Sequence, residues 1–186
     1  MKAASQKVES IERGAPTRVH PVKAEHLAAE IVQQLGASWL PAIYRDKIRS
    51  QRTRQYELKA VANKSVVEVL HTLLGIELKV GNRRLLCPDL ATARYLSVFA
   101  RLGCTIIAVP YDITQISWIA DELESSWHRM MLLIDHLTDG RSERIRALVT
   151  RRLITHARTE IESLGAGSPF PEFNQPTRRR KTSFRS

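Results

Sequence analysis

The sequence predicts a helix-rich α/β domain, and three observations carry that reading. Five long stretches repeat apolar residues at helical spacing. One stretch, IELKVGNRRLLC, flanks Gly81-Asn82 as the two arms of a hairpin would. A third, the β-branched run TIIAV at 105–109, suits a strand buried on both faces. The expected sheet is small: one β-hairpin plus one parallel strand from a β-α-β unit, packed with about six helices.

The elements follow in order. Residues 23–35 place Leu27, Ala28, Ile31, Val32 and Leu35 on one stripe, and Gly36 stops that helix. Pro41 opens a short helix predicted to run through AIYRDKIRSQRTR. Residues 56–74 read as a longer helix, with Leu58, Val61, Ala62, Val66, Val69, Leu70 and Leu73 on its buried side. The hairpin comes next. A helix over 90–102 then runs through Tyr95, Leu96, Phe99 and Leu102, and Gly103 is its C-terminal stop. Strand, helix and strand over 83–109 therefore predict a right-handed parallel crossover. Two helices close the domain. The first, 113–137, carries Ile116, Ile119, Leu123, Trp127, Met130, Ile134 and Leu137; the second covers 142–164.

Three regions result: a flexible N-terminal arm (1–22), one globular α/β domain (23–164) and a flexible basic tail (165–186). The net charge of +10 points to polyanionic partners. Much of it lies outside the domain. The arm holds four basic and two acidic groups, and the tail five and one, which leaves +4 for the body. MKAASQKVESIERG lacks the apolar core of a secretory leader, and no apolar run approaches the roughly 20 residues of a membrane span. Cys87 and Cys104 fit a reducing compartment, so the expected location is cytoplasmic and no disulfide is expected.

Asp89 and Asp112 each follow a strand-like run and precede a helical one. Asp at such a place caps a helix by accepting from its free backbone amides, and Gln115 stands three residues after Asp112 as in a capping box. The sharper reading gathers both carboxylates at the carboxyl edge of an α/β sheet, where they would form a catalytic or cation site. No Gly-rich phosphate loop, GxSxG or neighbouring His supports it. Glu68-Val-Leu-His71 is a single Glu-x-x-His, an incomplete set for a di-metal bundle. No metal or cofactor is expected.

Basic residues cluster twice. On a helix, Arg45, Arg49 and Arg52 share a face, with Lys47 and Arg54 beside it. In the tail, RRRKTSFRS supplies Arg178, Arg179, Arg180, Lys181 and Arg185. Both would contact phosphate without reading sequence. By contrast, residues 112–139 hold six acids and one Arg, while 141–160 hold six Arg and two Glu. Two antiparallel helices so charged would neutralise each other, which discounts Arg144, Arg151 and Arg158 as contacts.

The function expected first is thus binding of, or association with, nucleic acid (DNA or RNA) through the basic face and tail. A second is a non-enzymatic assembly module whose apolar helix 113–137 docks a protein partner or a second copy. A third is an enzyme working at Asp89 and Asp112.

Overall fold

Leu27, Ile31 and Leu35 recur at helical spacing and are all buried, so the first helix, α1 (Pro21–Leu35), lays one stripe on the core. The structure, a computed structural model, describes residues 21–58 and 66–167. After a turn of 3-10 helix, Pro41 starts α2 (Leu40–Ile43), which continues as one turn of π-helix over Tyr44–Ile48. In that turn the Arg49 amide donates to the Tyr44 carbonyl at 2.8 Å. The strands are β1 (Thr53–Glu57), β2 (Val67–Thr72), β3 (Gly75–Val80), β4 (Arg83–Cys87) and β5 (Ile106–Pro110). The remaining helices are α3 (Leu90–Leu102), α4 (Thr114–Leu137) and α5 (Glu143–Leu164).

The fold is helix-rich α/β, but among the described residues its sheets are antiparallel and there are two of them. β2, β3 and β4 form a meander, and β1 pairs with β5 as a separate ribbon. The expected hairpin is there, with Ile76 opposite Cys87 and Val80 opposite Arg83. The expected parallel crossover is not. β5 pairs with β1 instead, with Gln55 opposite Ala108. The reason lies in the backbone of Ala108. Its amide donates to the Tyr44 hydroxyl (2.8 Å), and its carbonyl accepts from the Tyr95 hydroxyl (2.6 Å). Two buried tyrosines occupy groups that a neighbouring strand would have used.

Two helix predictions also fail. The helix expected over 56–74 is the end of β1 and all of β2; residues 59–65 lie outside the described residues. The helical stripe passes over Val67, yet Val67 and Val69, two residues apart and β-branched, face the core from a strand paired with β3. The short helix expected to reach Arg54 ends at the π turn, because Thr53 is already paired with Pro110. In place of about six helices the described residues form four long ones (α1, α3, α4 and α5) and the short α2 segment.

The core joins all four long helices to both sheets. Tyr44, Tyr95 and Phe99 lie at its centre, fully buried, with ring centroids 5.6 Å (Tyr44–Phe99) and 5.1 Å (Tyr95–Phe99) apart. Each aliphatic side chain buried this way stabilises the fold by about 1.5–3 kcal/mol. Gly103 ends α3 with φ of 81°, and the amides of Gly103 and Cys104 close on the carbonyls of Ala100 and Phe99. Cys87 and Cys104 are buried free thiols, and burial raises the Cys104 pKa to about 12. Among the described residues no helix is long and apolar enough to cross a membrane.

Candidate nucleic-acid interface

The basic segment 45–54 does not form one helical face. Arg45 is exposed, and its guanidinium is held by the adjacent Asp46 through Nε (2.7 Å) and Nη2 (3.1 Å). Lys47 pairs with Glu122 of α4 and stands 5.6 Å from the Trp118 ring centroid. Arg49 turns inward. Its Nε donates to the Leu164 carbonyl (3.2 Å) and its Nη1 to the Thr53 hydroxyl (2.8 Å). A cation placed there complements the negative end of α5. Arg52 is exposed, with its guanidinium 4.9 Å from the Tyr111 ring centroid. Arg54 is half-buried on β1, opposite Val109.

These contacts draw the end of α5 onto the same segment. The Tyr44 hydroxyl donates to the Gly165 carbonyl at 2.9 Å. Burial raises the Tyr44 pKa to about 12, so the hydroxyl stays a donor at neutral pH. Gly167 then lies against β1 with φ of 89°, so close that a Cβ would stand 2.5 Å from Thr53 Oγ1. The described chain therefore ends beside Thr53, between Arg52 and Arg54. The tail cations Arg178, Arg179, Arg180, Lys181 and Arg185 lie outside the described residues.

The mutual neutralisation expected of the last two helices is also misassigned. Among the described residues the ion pair joining α4 to α5 is Arg146 with Asp135 (2.7 Å). The other α4 acids turn elsewhere: Arg94 of α3 holds Asp121 (2.8 Å) and Glu124 (2.6 Å), and Lys47 holds Glu122. On α5, Arg152 reaches Glu25 of α1 at 2.6 Å. Arg144 and Arg151 stay exposed and make no ion pair with a described residue.

Asp89 is the N-cap of α3, whereas the N-cap of α4 is Ile113 and Asp112, one residue before it, holds the first residue of that helix. Asp89 accepts from the Thr92 amide at 2.7 Å and the Thr92 hydroxyl at 3.1 Å. Asp112 accepts from the Thr114 hydroxyl (2.6 Å) and amide (3.0 Å), and these bonds hold its carboxyl below the usual carboxylate range. Gln115 faces the Asp112 carboxylate, at 3.5 Å, and accepts from Trp118 Nε1 at 2.6 Å. Glu68 and His71 stand on β2, where an odd spacing sends them to opposite faces of the sheet. Among the described residues no three His, Cys, Asp or Glu side chains gather as metal ligands.

Most of the apolar arc on α4 is covered. Ile116, Ile119, Ala120, Leu123, Met130 and Ile134 are buried, while Trp118 and Leu132 keep exposed surface. The contacts of Tyr44, Tyr111 and Arg94 escape sequence reading, since their partners are many residues away and no local spacing encodes them. No protein-family model, no curated protein and no solved structure matches the chain.

Proposed function

We propose that the protein associates with nucleic acid through phosphate contacts. One observation carries this reading: the last described residues before the basic tail pack on the basic segment 45–54. Gly167 packs on Thr53, and Arg49 is bonded to Leu164. Arg52 is exposed next to that point, and Arg178, eleven residues beyond Gly167, can lie at most about 40 Å from it. Body and tail cations would thus engage one polyanion together, which raises affinity through effective concentration. Arg45 and Lys47 already hold carboxylates, so Arg52 and the tail carry the larger share. No base-reading element accompanies them, and the binding is sequence-independent. Arg144 and Arg151 extend the cationic surface along α5.

The test is binding of single- and double-stranded oligonucleotides across a salt series. Replacing Arg178, Arg179, Arg180 and Lys181 by Ala should flatten the slope of log affinity against log salt by about 0.9 for each duplex phosphate no longer neutralised. Arg52→Ala should weaken the remainder. A salt-independent affinity, or none at moderate salt, overturns the reading.

A further inference from the structure

Among the described residues β2 is an edge strand, paired with β3 alone. Edge strands of soluble proteins are normally guarded by Lys, Pro or a bulge. β2 has none of these: Val67–Thr72 contains no Lys, Arg or Pro, and its register with β3 runs unbroken from Val67 opposite Val80 to Thr72 opposite Gly75. The opposite edge, β4, carries Arg83 and Arg84. Large apolar side chains stand exposed at both ends of β2. Val66 is 63% exposed, and in the turn that follows the strand Leu73 is 106% and Leu74 79% exposed.

We propose that this edge pairs antiparallel with the same edge of a second copy of the chain, about a two-fold axis at Leu70. The occupant follows from the pattern VVEVLHTLL, residues 66–74: two apolar residues stand at each end and one polar residue inside each pair, Glu68 and Thr72, at equal distances from Leu70, and only Val69 and His71 break the mirror. A two-fold axis perpendicular to the sheet keeps the inner faces of both copies on one side, so each residue meets one of the same parity. Centred on Leu70, it sets Glu68 opposite Thr72 and Val69 opposite His71 of the second copy. It brings Val66 and Val67 to Leu74 and Leu73, so each exposed apolar end covers the other. Centred on Val69, it would set Glu68 against Leu70 and carry Leu73 and Leu74 past Val66. Charge agrees. Two copies of net charge +10 repel each other, but this edge is neutralised, because Glu68 pairs with Lys79 at 2.9 Å.

The experiment uses the full-length chain after nuclease treatment, so that nucleic acid cannot bridge copies. Sedimentation and light scattering should show a dimer that strengthens as salt screens the repulsion. Leu70→Cys should form a covalent dimer on mild oxidation, because directly opposed Cα atoms lie about 4.5–5.5 Å apart, within disulfide reach. Glu68→Cys and Thr72→Cys, each opposite a residue other than itself, should not; Cys87 and Cys104 are buried and stay silent. Leu73→Asp with Leu74→Asp alters only exposed positions, so it should keep the circular dichroism and lose the dimer. A monomer at all concentrations overturns the proposal. So does a dimer that survives the double substitution, or equal crosslinking by all three cysteines.

Discussion

The two sheets treat their unpaired edges in opposite ways. In the β1–β5 ribbon, β5 lies inside the core, and Ile107, Ala108 and Val109 are buried. No water reaches such a strand, so its backbone groups need protein partners. Tyr44 and Tyr95 supply them at Ala108. In the β2–β3–β4 meander one face packs on α3, and among the described residues no strand pairs with the outer edge of β2. The comparison teaches that side chains can end a sheet in the core, whereas only solvent or another chain ends it at the surface. The ribbon serves stability, and the meander offers a surface for pairing.

Substitutions should separate the two regions, beginning where the effect is largest. Phe99→Ala removes the ring on which both tyrosines pack and should cost about 3–5 kcal/mol in urea unfolding. Tyr95→Phe keeps the packing but leaves the Ala108 carbonyl unpaired, at about 1–3 kcal/mol. Alkali should strike the same place. The pKa of Cys104 rises from 9.0 to about 12 on folding, and that of Tyr44 from 10.0 to about 12. Between those limits the folded chain holds protons that the unfolded chain has released. Stability should therefore be intact below pH 9, and fall above it by as much as about 1.4 kcal/mol per pH unit for each group. Cys104→Ala should make that fall shallower from pH 9, where the Cys87 thiol, also pushed up by burial, still contributes, and Tyr44 adds to it from pH 10. Asp89→Ala, at the cap where the meander meets α3, should lose about 0.5–2 kcal/mol with no sharper phenotype. Leu73→Ser, at the exposed turn, should change monomer stability by less than about 0.5 kcal/mol. A large loss there would mean that the turn belongs to the core and would remove the contrast between the sheets.

The site was less legible than the fold. Arg45, Arg49 and Arg52 fall at helical spacing, but the helix ends between them, and Arg49 turns to the end of α5. The acids of α4 and the arginines of α5 are complementary in number and sign. Yet Arg94, a single residue on α3, takes Asp121 and Glu124. A count of charges along two helices carries no angle between their faces. Asp89 and Asp112 were more legible because each is bonded to residues no more than three positions away, though only Asp89 is an N-cap.

The sequence by itself determined whatever is decided within a few residues. Gly36 and Gly103 stop α1 and α3, Asp89 starts α3, and Gly81-Asn82 turns the hairpin. Helical stripes placed α1, α3, α4 and α5 to within about two residues. Only the tertiary structure decided that Val67–Thr72 is a strand, that β5 pairs with β1 and that Arg49 faces inward. The physical reason is one of range. Helix and turn hydrogen bonds close within about five residues and leave a local signature. Strand pairing and ion-pair choice are made between residues such as Gln55 and Ala108, or Arg94 and Glu124, whose proximity exists only once the core has formed.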